Sequence, residues 1–226
     1  LGVRGRSSRE DPDFHRVDID GEPQLWSVRA TGAELDRLSW VRGGEEVMAA
    51  TPGADGAARL SDLYLVPGRH HFRVRTLGGD YRLEMTPLGP PDPDAEREPN
   101  DAEVRAQAYG IGERRIGRLV TDEDVDRFRF TLAAPEHLRI TLQQPPDADV
   151  SLRIDDSSGE FLRRRAPVPG GMIDLDLWLR PGDYLLTLHP RAPSDGRYEL
   201  ISERLDPFVL ASDQEPNHEP AFARQA

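Results

Sequence analysis

The 226 residues leave room for two domains of about 100 residues, each large enough to bury its own core. Cysteine is absent, which excludes disulfides, thiolate metal sites and thiol catalysis. There are 41 acidic and 29 basic residues, a net charge of -12 and no long basic run or basic-aromatic stripe, so a nucleic-acid partner is argued against. All the basic residues are arginine, which reads as a GC-rich bacterial coding bias. No apolar run reaches the roughly 18–20 residues that span a bilayer.

Taken in chain order, short segments of alternating polarity predict strands over 24–30, 35–41, 46–49, 60–65, 70–75 and 81–86. A proline-rich acidic stretch, Pro87 to Glu98, follows and reads as an extended linker that holds two modules apart like beads with limited hinge freedom. Strands resume over 115–120, 125–132, 137–143, 149–154, 160–164, 172–179, 184–189 and 197–202. Ala133-Ala134-Pro135-Glu136, Asp155-Asp156-Ser157-Ser158-Gly159 and Arg180-Pro181-Gly182-Asp183 punctuate them as turns. Phe128-Arg129-Phe130-Thr131-Leu132 sets apolar groups on one face and polar groups on the other, the pattern of an antiparallel sheet with one wet face. No helical period competes. The fold class is therefore all-β, as two tandem antiparallel β-sandwiches of jelly-roll type.

The chain repeats itself. Leu63-Tyr64-Leu65-Val66-Pro67-Gly68 returns as Leu177-Trp178-Leu179-Arg180-Pro181-Gly182, and Gly79-Asp80-Tyr81-Arg82-Leu83 as Gly196-Arg197-Tyr198-Glu199-Leu200. Glu98-Pro99-Asn100-Asp101 returns as Glu215-Pro216-Asn217-His218. Upstream, Trp26-Ser27-Val28 is aligned with Phe128-Arg129-Phe130 and Leu38-Ser39-Trp40 with Ile140-Thr141-Leu142, an offset of 102 positions. A repeat of this length is a whole domain, since solenoid periods run at roughly 20–50 residues. The division reads as residues 1–92, a diverged first sandwich, 93–209, a second, and 210–226, the start of a third linker or module. Beginning at Leu1 and stopping inside that linker, the chain reads as a piece of a longer protein, and a missing signal peptide says nothing of secretion.

The second copy resembles the bacterial pre-peptidase C-terminal domain, similar in turn to the collagen-binding domains of clostridial collagenases. The resemblance rests on Glu98-Pro99-Asn100-Asp101, Gly117-Arg118-Leu119, Asp124-Val125-Asp126-Arg127-Phe128, Leu138-Arg139-Ile140-Thr141-Leu142, Leu179-Arg180-Pro181-Gly182-Asp183-Tyr184 and Gly196-Arg197-Tyr198. The first copy matches in its later half and its Trp26-Ser27-Val28 strand. There Ser8 to Asp13 replaces the lead-in motif, and Glu22 and Gln24 stand where the second copy has Asp124 and Asp126. The resemblance implies a non-catalytic module of a secreted, periplasmic or surface protein. It also implies calcium in the second copy, with Glu96, Glu98, Asn100 and Asp101 as lead-in ligands and Asp122, Asp124 and Asp126 completing the site. Calcium takes six to eight hard oxygen ligands, which such side chains supply. The third lead-in offers Asp213, Glu215 and Asn217, with His218 in the place of Asp101. A helix-loop-helix calcium loop starting at Asp122 is excluded, because Arg127 and Ala133 stand where glycine and a bidentate glutamate are required.

No nucleophile elbow, zinc-protease helix or phosphate-cradling loop is present, so no enzyme is expected. His70-His71 lies on a strand and points its rings to opposite faces, which reads as surface histidine. The arginines of 162–165 read as charge guarding a strand edge. Tyr64, Trp178, Tyr184, Tyr198 and Trp40 are candidates for an aromatic platform that binds a polysaccharide or protein matrix, with a core role for Trp40 and Tyr198 the competing reading. The leading expectation is a spacer, docking or assembly module whose partners are neighbouring domains of the same protein or another extracellular protein.

Overall fold

The structure is a computed structural model and describes residues 1–166 and 168–205. The first sandwich is built from β1 (Gly2–Arg6), β2 (Asp13–Ile19), β3 (Gln24–Thr31), β4 (Leu35–Arg42), β5 (Glu45–Ala50), β6 (Ala57–Leu65), β7 (Gly68–Thr76) and β8 (Asp80–Gly89). The second has β9 (Gln107–Ala108), β10 (Arg114–Leu119), β11 (Asp126–Leu132), β12 (Glu136–Gln143), β13 (Asp149–Asp156), β14 (Phe161–Arg165), β15 (Met172–Leu179), β16 (Gly182–Ala192) and β17 (Ser194–Arg204). One 3-10 turn, Glu103–Arg105, is the only helical element among the described residues.

The first sandwich sets a sheet of order β1-β8-β3-β6 against one of order β2-β7-β4-β5. Adding nine to each number gives the second, β10-β17-β12-β15 against β14-β13-β16-β11, with the short β9 added in parallel beside β11. This is the jelly-roll connection, in which strands distant in sequence close each sheet and leave few free edges. β14 is the last strand of its sheet, so the arginine-rich segment does lie at an edge.

Alternation directs the inward residues into two separate cores. One holds Val28, Leu38, Trp40, Leu60, Phe72 and Val74, the other Phe128, Ile140, Leu152, Leu186, Leu188 and Leu200, all buried. Each fully buried side chain of this size contributes roughly 1.5–3 kcal/mol, so each sheet pair has its own source of stability.

Two sequence expectations are corrected by the register. Gly5 pairs with Tyr81 as Gly117 pairs with Tyr198, and Trp26 pairs with Leu63 as Leu138 pairs with Leu177. The strand equivalent to Trp26-Ser27-Val28 is thus Leu138-Arg139-Ile140, one strand later than the ungapped alignment placed it. Because every strand alternates, sliding the alignment by a whole strand leaves the polarity pattern intact, and only hydrogen-bond partners tell the strands apart. The counterparts of Asp124 and Asp126 are accordingly Asp11 and Asp13, not Glu22 and Gln24: Asp13 opens β2 opposite Val74 as Asp126 opens β11 opposite Leu188. β1, β2 and β9 were not predicted. β1 carries two glycines in five residues, β2 turns Phe14 to solvent, and β9 is only two residues long.

The linker does not hold the sandwiches apart. Glu96 N–H donates to Ile116 O at 2.9 Å, fixing the linker to β10, and two residues later Glu98 pairs with β6 of the first sandwich. Arg118 meets Asp62 across the junction at 2.7 and 2.9 Å, and Arg37 meets Glu123 at 3.3 Å. His70 is also corrected: it is buried, and its Nε2 lies 2.8 Å from Val66 O.

Candidate metal centre

The segment Glu96 to Asp101 threads between the two sandwiches, and the turn before β11 closes over it. Glu96, Glu98, Asn100, Asp124 and Asp126 are all buried, Asn100 and Asp126 completely. One carboxylate oxygen from each of Glu96, Glu98 and Asp126 lies within 4.8 Å of the others. Asp101 is half-buried beside them, and its Oδ1 accepts from Val125 N–H at 3.1 Å. Asp122 does not join the group. It sits exposed on the turn that Asp124 N–H closes onto Thr121 O, so the ligand predicted there is not brought to the cluster.

Backbone and side-chain donors orient Glu96 and one oxygen each of Glu98 and Asp124. Arg118 N–H donates to Glu96 Oε1 at 2.6 Å, Tyr198 O–H to Glu96 Oε2 at 2.9 Å, Asn100 N–H to Glu98 Oε2 at 2.8 Å and Val120 N–H to Asp124 Oδ2 at 2.8 Å. The remaining atoms have no partner: Glu98 Oε1, Asn100 Oδ1 and Nδ2, Asp124 Oδ1 and both oxygens of Asp126. Gly117 is required by close approach, since a Cβ there would fall 2.3 Å from the Glu96 carboxyl carbon and 2.4 Å from the Tyr198 hydroxyl.

The electrostatics follow from this crowding. Burial, followed by the facing Asp126, pushes the Glu96 and Glu98 carboxyls and that of Asp124 well above the usual carboxylate range. Burial raises Asp126 and Asp101 as well, and burial with the facing Asp126 raises the Tyr198 phenol. Of the nearby cations, Arg118 spends its guanidinium on Asp62, while Arg105 and Arg127 act on Asp101 at the margin of the cluster. Buried like charges without a counter-ion are costly, and they are relieved by protons or by a cation. The donor set is all oxygen, with neither histidine nor thiolate, which suits a hard divalent ion. The residues present therefore fit calcium: orphaned buried oxygens point inward from two segments, and five side chains plus Asp101 approach the number it needs.

Sequence reasoning missed four contributors: Tyr198 and Gly117, which shape the Glu96 carboxyl, and Asp62 with Arg118, which tie it to the first sandwich. Gly117-Arg118 and Tyr198 were visible as motif residues, but their partners lie on other strands. The first copy keeps Gly5, Asp13 and Tyr81 at the corresponding positions, with Tyr81 O–H donating to Asp13 Oδ2 at 2.5 Å and His15 Nε2 2.6 Å from the same hydroxyl. Among the described residues no acid cluster forms there. The third lead-in, Asp213 to His218, lies outside the described residues.

The aromatic candidates do not share a face. Trp40, Tyr184 and Tyr198 are buried, Tyr64 is half-buried beneath Arg97, and Trp178 is 50% exposed.

No family model and no curated protein matches the chain. Among solved structures it is similar to the pre-peptidase C-terminal domain of a collagenase from Bacillus anthracis, at 20% identity and a TM-score of 0.39, covering 43% of this chain and 94% of that one. It is also similar to the CUB1-EGF-CUB2 region of human MASP-1/3, at 7% identity and a TM-score of 0.27, covering 90% and 99%. The PBSX exported protein XepA gives 10% identity and a TM-score of 0.27, covering 90% and 86%. Likenesses so distant carry no argument about family, ligands or role. The all-β sandwich fold rests on the sheets themselves. No helix among the described residues is long and apolar enough to cross a membrane.

Proposed function

We propose that the chain is a pair of non-catalytic β-sandwich modules, divided near residue 93, from a larger secreted, periplasmic or surface bacterial protein. The modules space, dock or assemble neighbouring domains, and calcium stiffens the junction between them. The observation that carries this reading is the buried group Glu96, Glu98, Asn100, Asp124 and Asp126 at the boundary of the two sandwiches: oxygens of Glu96, Glu98 and Asp126 lie within 4.8 Å of one another, and Glu98, Asn100, Asp124 and Asp126 keep unpartnered oxygens. Glu98 supports it further, because the same residue gives its carboxylate to the cluster and its backbone to β6. The ion supplies the positive charge that the cluster lacks. Glu98 and Asn100 hold it from the linker, Asp124 and Asp126 from the β11 turn, and Glu96, oriented by Tyr198, from the β10 side.

The matrix-binding reading has less support, since the aromatic side chains that would form its platform are buried or scattered.

A thermal melt in excess chelator and again in millimolar calcium tests the assignment. A ligand held only by the native state raises its stability by RT ln(1 + [L]/Kd), about 2.7 kcal/mol at a hundredfold excess over Kd. The melting temperature is expected to rise with calcium, and Asp124→Ala and Asp101→Ala each to abolish the rise. No shift in the unaltered protein removes calcium and leaves a metal-free spacer.

A further inference from the structure

The two sandwiches treat one sheet edge differently. In the first, β6 ends its sheet, and its outer edge is covered by the linker: Glu98 N–H donates to Asp62 O at 3.3 Å, Tyr64 N–H donates to Glu98 O at 3.2 Å, and Arg97 lies 4.9 Å over the Tyr64 ring. Leu63 and Leu65 are fully buried beneath this cover. β15 ends the corresponding sheet of the second sandwich, where Leu177, Trp178 and Leu179 occupy the register positions of Leu63, Tyr64 and Leu65. Among the described residues no strand pairs with its outer edge. Leu177 and Leu179 are only partly buried, and Trp178, stacked on His137 at 4.4 Å, stays half exposed. Beside them the exposed Phe161 borders a cleft of about 350 Å³ that runs between β14 and β15.

The chain carries its own candidate for this edge. Tyr81 and Tyr198 hold equivalent register positions, and each stands 17 positions before the next Glu-Pro-Asn, at Glu98 and at Glu215. Within that span Pro90 also recurs, as Pro207. The described chain leaves the second sandwich at the matching corner. Leu205 N–H donates to His137 O at 2.8 Å, and His137 is the residue opposite Trp178. In the first sandwich the linker sets out from the equivalent place, where Gly89 pairs with Leu25 and Leu25 with Tyr64.

We propose that the outer edge of β15 is a docking site for the Glu215-Pro216-Asn217 segment of this chain, laid along it as Glu98-Pro99-Asn100 lies along β6. Recognition is by main-chain pairing to an open strand edge together with cover for Leu177, Trp178 and Leu179. β15 lacks the extra residue that β6 has at Asp62, so the site has no counterpart of the Asp62–Arg118 ion pair, and contact with the apolar edge has to supply the hold. The proposal is independent of any cation.

Amide hydrogen exchange of the full chain, resolved by NMR and run with and without chelator, tests it. The Trp178 amide is the counterpart of the Tyr64 amide that donates to Glu98. It is expected to exchange at least about tenfold more slowly in the unaltered chain than in the triple variant Glu215→Gly, Pro216→Ser, Asn217→Gly, a pairing contact that opens locally being read directly by exchange. Tyr64 exchange should be the same in both chains, which controls for the fold of the first sandwich. Protection of Trp178 that rises with protein concentration places the same pairing between two copies and supports the site. Equal exchange of Trp178 in the two chains, at every concentration, overturns the proposal.

Discussion

Gly117 shows how one residue sets the cluster. It pairs with Tyr198 beside the register shift of the β10–β17 ladder, and the room left by its missing side chain is taken by the Glu96 carboxyl and the Tyr198 hydroxyl. Gly117→Ala puts a methyl group into both. Overpacking of this kind costs roughly 1–3 kcal/mol, and it displaces the carboxylate that Arg118 N–H and Tyr198 orient. The expected outcome is a lower melting temperature in chelator and a calcium-dependent rise that is reduced or lost, both read from one pair of melts. A normal calcium response in this variant would mean that Glu96 is not a ligand. The seven predicted ligands show where residue-level reading stops. The acidic spacing of Asp122, Asp124 and Asp126 is regular, yet Asp122 faces solvent, because it belongs to a tight turn whereas Asp126 already belongs to a strand.

Within single elements, side-chain alternation decides which charges meet. On the outer face of β4, β5 and β7, Glu46 accepts from Arg37, Ser39 and Arg73 at distances down to 2.7 Å. Burial alone would raise its carboxyl, but these donors outweigh it and hold the pKa down at about 2, against an ordinary value of 4.5. A group depressed on folding contributes stability above its unfolded pKa and loses it as pH falls through the folded one. Glu46→Gln is therefore expected to cost about 1 kcal/mol near neutral pH, a figure kept small because solvent screens the half-exposed pair. Denaturant unfolding should show that difference shrinking between pH 4.5 and 2. β6 makes a second point. Its extra residue, Asp62, takes the left-handed conformation at φ 52. A bulge of this kind re-aims a side chain at an edge, and here it turns the carboxylate toward Arg118 of the second sandwich.

At the scale of the whole molecule, the junction is where the two sandwiches meet among the described residues. The contacts are few: Glu98 on β6, Asp62 with Arg118, Glu123 with Arg37 and Thr51, and Arg105 on Val47 O. They lie on or next to the linker and turn that form the acid cluster, with Arg118 on the adjoining β10 and Arg105 in the 3-10 turn that follows, so an ion bound there would brace both sides at once. Asp62→Asn keeps a residue that tolerates the left-handed conformation while removing the charge facing Arg118. Breaking one side of a largely buried ion pair is expected to cost about 2 kcal/mol, below the full penalty because Arg118 is partly solvated. Calorimetry in calcium should show one transition for the unaltered chain and two for the variant, each sandwich melting on its own core. A single transition in both would show that the ion pair does not couple them.

Much of this was legible in the residues. Period-two alternation between turn signals gave the all-β class and fourteen of the seventeen strands among the described residues to within a few positions, because a half-buried strand must alternate wherever one face meets a core. The Glu98-Pro99-Asn100-Asp101 and Asp124-Val125-Asp126 motifs pointed to the acids that the fold gathers. The tertiary structure alone decided the rest: which strands correspond between the copies, that Asp122 stays outside the cluster, and that the linker joins the sandwiches instead of separating them. Each of these depends on hydrogen bonds between residues distant in sequence, and local polarity is the same whichever partner a strand takes.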